Sequence, residues 1–176
     1  QLTLTSDWSH LSSQLLHDII KNLGVNQLDF KCAELFENYL KNPAEVTQIT
    51  VNIQKEWNAT TTSIKDTDLA KTISERIPRN IEILSLSIED NYTINFIENS
   101  FFGFKKLKSF TFESNTNNGV LDFSNNTLLE QITIKLRNKK DTLSILDVFL
   151  LGWIQRLNFD INSVRVEFTI EKRIIE

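Results

Sequence analysis

A short pattern recurs along the chain: one apolar residue, two others, a second apolar residue, one other, a third apolar residue. Val46-Ile49-Val51 carries it, as do Ile81-Leu84-Leu86, Leu107-Phe110-Phe112, Leu129-Ile132-Ile134 and Ile154-Leu157-Phe159. The middle residues Ile49, Leu84, Phe110, Ile132 and Leu157 are separated by 35, 26, 22 and 25 residues. The alternation that closes each copy is that of a strand with one buried face. Steps of this size hold one strand and one return segment, which cannot bury an apolar face alone, so the copies must stack on one another. The first step is long enough to contain an inserted segment.

The pattern resembles the L-x-x-L-x-L core of leucine-rich repeats. Leu69-Ala70, Ile73, Ile77-Pro78 and Ile81 to Leu86 resemble the helix-backed type of that repeat, and Phe101-Phe102-Gly103-Phe104 before Leu107 resembles repeats of bacterial and protozoan surface proteins. The resemblance implies an α/β fold: a short curved leucine-rich-repeat solenoid of about five strands behind an N-terminal helical element. In such repeats an asparagine three residues after the last core position binds backbone groups of the turn. Asn115 and Asn162 stand there, whereas the other copies have Gln54, Glu89 and Arg137, so any ladder is broken.

Residues 1–7 are mostly polar and expected to fray. Ser12 or Ser13 can cap a helix through Leu15, Leu16, Ile19, Ile20 and Leu23, stopped by Gly24. A second helix is expected from about Asn26 to Lys41, with Leu28, Cys32, Leu35, Phe36, Tyr39 and Leu40 inward, ended by Asn42-Pro43. This opening resembles an F-box in Leu11-Ser12, Gln14-Leu15-Leu16, Ile19-Ile20, Leu23, Leu28-Asp29, Cys32, Phe36 and Leu40. It departs from that motif at Ser12, Gln14 and Phe36, where proline, glutamate and tryptophan are usual. The domain division is thus 1–44, a helical F-box-like or capping segment, and 45–176, the leucine-rich-repeat domain.

Further along, Gln54 to Asp66 is a polar loop holding Trp57, and Thr67 to Ile77 is a helix stopped by Pro78. The rings between Phe96 and Phe104 belong to the core, since twelve phenylalanines in one chain need burial. Leu121 to Leu128 is a short return segment and Arg137 to Asp141 a solvated turn. Asp141 or Thr142 caps a last helix with Leu143, Leu146, Leu150 and Trp153 buried. Val164 to Ile170 alternates as a half-buried edge strand.

Chemistry is thinly represented. No H-E-x-x-H, C-x-x-C, phosphate-cradling glycine loop or G-x-S-x-G elbow occurs, and the 4 glycines and 2 histidines, His10 and His17, are scattered. The chain reads as non-enzymatic, with neither cofactor nor metal. The net charge of −4, with no run of like charge, argues against nucleic acid. No apolar stretch reaches the ~18 residues of a membrane span. The lone Cys32 leans toward a reducing, cytoplasmic or nuclear setting. The sequons at Asn58, Asn91 and Asn125 supply the alternative, an extracellular or cell-surface one. Because the chain opens on Gln1, a leader is neither expected nor excluded.

What remains is binding. Residues flanking the last two core positions point away from the core. They form one row, Thr50, Ser85, Thr111, Thr133 and Asn158, and a second, Asn52, Ser87, Glu113, Lys135 and Asp160. This concave face is expected to receive a protein or peptide partner. The F-box resemblance implies a second contact, with the Skp-type adaptor of a cullin ubiquitin ligase, through Leu11, Leu15, Leu16, Ile19 and Leu23. A surface adhesion or recognition domain is the other reading.

Overall fold

The computed structural model describes residues 1–53, 66–93, 96–97, 99–116, 118–123, 125–136, 142–146, 156–161 and 167–171. In chain order the elements are β1 (Leu2–Leu4), α1 (Ser13–Asn22), β2 (Gln27–Phe30), α2 (Ala33–Lys41), β3 (Gln48–Ile53), α3 (Asp66–Arg76), β4 (Ile83–Thr93), β5 (Ser109–Thr116), β6 (Asn118–Asp122), β7 (Gln131–Leu136), β8 (Thr142–Leu146), β9 (Arg156–Ile161) and β10 (Glu167–Glu171).

Seven strands form one all-parallel sheet in the order β1-β2-β3-β4-β5-β7-β9, laid down in the order of the chain. A second parallel sheet pairs β6, β8 and β10. This corrects the expected architecture. The sheet is not the five-stranded curved leucine-rich-repeat solenoid behind a separate helical element. Two of its strands, β1 and β2, come from the stretch expected to fray and from the start of the expected second helix. Both are short runs of strict alternation, Leu2-Thr3-Leu4 and Gln27-Leu28-Asp29-Phe30, with Leu4, Leu28 and Phe30 buried. Leu28 and Cys32 also fall at helical spacing ahead of Leu35, so a true strand was absorbed into the helix that follows it. The helix itself starts only at Ala33. The pairing of β2 with β3 crosses residue 44, and one buried cluster runs from Leu4 to Ile134.

A second correction concerns Thr142–Leu146, expected as the first turns of a helix. It is β8, flanked in register by β6 and β10. Its Leu143 and Leu146 spacing suits either period, and over five residues periodicity does not arbitrate. The segment 121–128 likewise opens inside a strand, β6, and the alternating stretch near the end pairs in this second sheet rather than edging the first.

The ends of α1 follow the sequence closely. Ser12 is the N-cap of α1, its hydroxyl accepting from the Leu15 amide at 3.2 Å. At the other end Gly24 takes φ 62°, and the amides of Gly24 and Val25 bond back to Lys21 and Ile20 carbonyls at 3.2 and 3.1 Å. That is a Schellman stop, which glycine permits at no steric cost. Along α3, Leu69, Ala70 and Ile73 are buried, as expected of its apolar face.

The core lies on one face of the large sheet. Ile49, Val51 and Ile53 of β3, Leu84, Leu86 and Ile88 of β4, Phe110 and Phe112 of β5 and Ile132 and Ile134 of β7 are all buried. Phenylalanines from the return segments pack behind β5. Phe101 stacks on Phe123 at 5.5 Å between centroids and meets Phe110 at 4.9 Å, and Phe96 sits edge-on to Phe112 at 5.6 Å. The rings thus serve the core, apart from Phe102, which is exposed beneath Lys105. Asn126 is fully buried among them. Its amide donates to the Phe101 and Phe104 carbonyls at 3.0 and 2.9 Å, which ties the turn before β7 to the turn before β5. The turn-binding role expected of Asn115 and Asn162 is filled here by a different asparagine. Asn115 lies in β5, and Asn162, like Trp57, Trp153 and Asn58, lies outside the described residues.

Candidate functional site

The side chains between the buried positions form the opposite face of the large sheet. There every described side chain from Gln27 on β2 to Thr133 on β7 is partly exposed. A parallel sheet is ordinarily covered on both faces and built of near-continuous apolar runs. This one is apolar on one side and polar on the other.

Strand pairing places the expected binding residues in line. Thr50 pairs with Ser85, Ser85 with Thr111, Thr111 with Thr133 and Thr133 with Asn158. Two residues on, Asn52, Ser87, Glu113, Lys135 and Asp160 form a second row in the same register. The Ser87 hydroxyl donates to Glu113 Oε2 at 3.2 Å within that row. Strands lie about 4.8 Å apart, so five of them carry each row roughly 19 Å across the sheet.

Sequence reasoning missed two extensions. The first row continues through Asp29 on β2 to Thr3 on β1. It was hidden because those residues were read as helix and frayed end. A third row lies two residues before the first: Gln27, Gln48, Ile83, Ser109, Gln131 and Arg156. The signal was present, since alternation implies that residues two apart share a face. From β3 to β7 the middle row is all hydroxyl residues, Thr50, Ser85, Thr111 and Thr133, with rows of mixed size on both flanks.

The third row opens into a groove of about 480 Å³, lined by Gln48, Glu82, Ile83, Lys108, Ser109, Glu130 and Gln131. Backbone bonds fix its rim: the Lys108 and Ser109 amides donate to the Glu82 carbonyl at 2.8 and 3.1 Å, and the Glu130 and Gln131 amides to the Lys108 carbonyl at 2.8 and 3.1 Å. Glu82, Lys108 and Glu130 therefore stand on successive strand starts with alternating charge. Lys108 Nζ lies 3.1 Å from Glu82 Oε1. Glu130 makes no ion pair among the described residues. At the β2 end, Lys31 Nζ lies 3.6 Å from Asp29 Oδ2, while Asp29 Oδ1 and Asn52 Oδ1 have no protein donor among the described residues.

The five residues expected at an adaptor divide between two environments. Leu11 and Leu16 are buried in the core, Ile19 packs partly against it, and Leu15 and Leu23 are exposed. Trp8 is exposed in the same N-terminal region. Between α1 and the loop before β3 lies a cleft of about 550 Å³ lined by residues that include His17, Lys21 and Glu45. His17 Nδ1 lies 3.0 Å from the Asn42 carbonyl, a contact in which the ring nitrogen donates. Beneath the loop, the buried Tyr39 hydroxyl donates to the Ala44 carbonyl at 2.7 Å. Burial, and then the nearby Glu45 carboxylate, push its ionisation well above the ordinary phenol range.

Among the described residues no group of His, Cys, Asp and Glu could hold a metal ion, and no helix is long and apolar enough to cross a membrane. Cys32 is half-buried at the start of α2. The arrangement offers a broad polar surface with a groove at its strand starts. Comparison with protein-family models, with curated proteins and with solved structures gives no match to this chain.

Proposed function

We propose that this chain is a non-enzymatic interaction module whose open sheet face docks a protein or peptide partner. One observation carries the reading: a seven-stranded parallel sheet buries every described residue on one face of β2 to β7 and presents the other face as aligned rows of mainly hydroxyl, amide and charged residues. Three rows across several strands give an area suited to a protein surface rather than to a small molecule, which prefers an apolar, enclosed pocket. The test is a selection of displayed random peptides against the folded chain, followed by binding to Thr111→Arg with Thr133→Arg, which fills the middle row. Peptides that lose at least tenfold in affinity on the double variant support the reading. A selection that yields only peptides indifferent to it contradicts the reading.

A second reading places the Skp-type adaptor of a cullin ubiquitin ligase on α1. The exposed Leu15 and Leu23, one helical stripe with Ile19 between them, support it. Leu11 and Leu16 serve the core, so that contact would rest on Leu15, Ile19 and Leu23. Calorimetry against the adaptor tests it: binding lost in Leu15→Asp with Leu23→Asp supports it, and absence of heat from the folded chain rules it out.

A further inference from the structure

The groove at the strand starts differs from the rest of the open face in two ways. Ile83 is the one apolar side chain in a row otherwise made of Gln27, Gln48, Ser109, Gln131 and Arg156. It is partly exposed, so the groove has an apolar patch in its floor within a polar rim. Charge is the second difference. Of the described lining residues Glu82, Lys108 and Glu130, the lysine is held by Glu82 at 3.1 Å, and Glu130 makes no ion pair among the described residues.

We infer that this groove receives a lysine or arginine side chain of the protein partner, its aliphatic stem against Ile83 and its cationic head at Glu130. The inference rests on the docking role proposed for the open face and names the chemistry of the partner there. Long basic side chains carry an apolar stem and a charged head, which matches an apolar floor ending at a carboxylate. Ile83 and Gln131 are two strands apart, about 9.6 Å at ordinary strand spacing. Ser109 lies between them and is the smallest side chain of the row, so a stem crossing from β4 toward β7 meets no obstruction there. Gln48 and Gln131 flank the path with side-chain carbonyls that can accept from an ammonium or guanidinium group. An acidic partner side chain fits poorly. The lysine among the described lining residues is already paired with Glu82, and an incoming carboxylate would face Glu130.

The test uses the peptides that bind wild-type chain and are lost on Thr111→Arg with Thr133→Arg. Expected are a lysine or arginine at a fixed position in these peptides and a loss of about tenfold in affinity on Glu130→Gln, falling further on Glu130→Lys. Replacing the peptide's basic residue by norleucine should cost the same factor on wild type and nothing further on Glu130→Gln. Glu130 is exposed, so the substitution leaves the fold intact. Face-dependent peptides that carry no basic residue, or that bind Glu130→Gln as tightly as wild type, overturn the inference while leaving the docking face standing. If no peptide depends on the face at all, the docking reading falls and this inference falls with it.

Discussion

Replacing Asn126 by alanine removes a fully buried amide that bonds the Phe101 carbonyl at 3.0 Å and the Phe104 carbonyl at 2.9 Å. Both oxygens keep a backbone donor, Phe104 N–H at 3.0 Å and Leu107 N–H at 3.1 Å, so neither is orphaned. The loss is therefore about 1 kcal/mol for each of the two bonds, not the full desolvation penalty. A cavity left by the amide adds about 1 kcal/mol. Against this, the Asn126 Oδ1, which has no donor among the described residues, is no longer buried, which returns about 1 kcal/mol. The net expectation is a destabilisation of about 2 kcal/mol, or a melting point lower by roughly 4–8 °C in a chain of this length. Asn126→Asp should be worse, by more than about 4 kcal/mol at pH 7, since it turns a carboxylate oxygen toward two carbonyls in the interior. Urea denaturation of the two variants, with exposed Thr127→Ala as a control, measures all of this. If Asn126→Ala lies within 0.5 kcal/mol of wild type, or Asn126→Asp matches it, the claim that this side chain ties the turns before β5 and β7 is wrong. The consequence reaches the candidate site, because those turns set where Ser109 and Gln131 stand in the groove.

Three further outcomes are expected. Gly103→Ala drives a Cβ into the Arg79 guanidinium, which lies 5.3 Å from the Phe104 ring centre and donates to the Ser74 carbonyl at 3.0 Å. The guanidinium is the end of a flexible, exposed side chain that can swing away, so the cost should be only the lost ring contact, about 0.5–1 kcal/mol, and little beyond the single variant when combined with Arg79→Ala, as a double-mutant cycle would read. Leu16→Asp should unfold the chain by more than about 4 kcal/mol because Leu16 is fully buried, while Leu15→Asp, half exposed one residue earlier, should cost less than about 1 kcal/mol by thermal denaturation. Tyr39→Phe removes the 2.7 Å bond to Ala44 and should cost about 1–2 kcal/mol at neutral pH. Burial raises the folded-state ionisation of this phenol, so its contribution is complete below about pH 10 and declines by about 1.4 kcal/mol per pH unit above that. Stability of wild type and variant should therefore converge as pH rises past 10, and parallel curves would contradict the assignment.

The rows of the open face were legible in the sequence because strand alternation is a local rule. Thr50, Ser85, Thr111 and Thr133 stand between two apolar residues that must be buried, so they must point the other way. Their alignment across strands followed from the repetition of the same three-residue frame. The N-terminal strands were not legible for a physical reason. Gln27–Phe30 has only four residues, too few to separate a period of two from one of 3.6 when a helix begins three residues later. Thr142–Leu146 failed for the same reason in the opposite place. The groove was missed because it depends on Glu82, Lys108 and Glu130, which precede the strands where the alternation rule does not apply. Their juxtaposition comes from backbone bonds between neighbouring strand starts, which a linear sequence does not display. Asn126 was passed over because burial of an asparagine is decided by carbonyls more than twenty residues away.

A docking surface requires that one face of the large sheet be open while the other is buried. Single cysteines in a Cys32→Ala background test it by the rate of thiol labelling in the folded chain. Thr50→Cys, Ser85→Cys, Thr111→Cys and Thr133→Cys should label promptly, while Ile49→Cys, Leu84→Cys, Phe110→Cys and Ile132→Cys should label only as fast as the chain opens. Protection of the first group to the same degree as the second would mean that the face is covered, and would contradict the docking surface built on it.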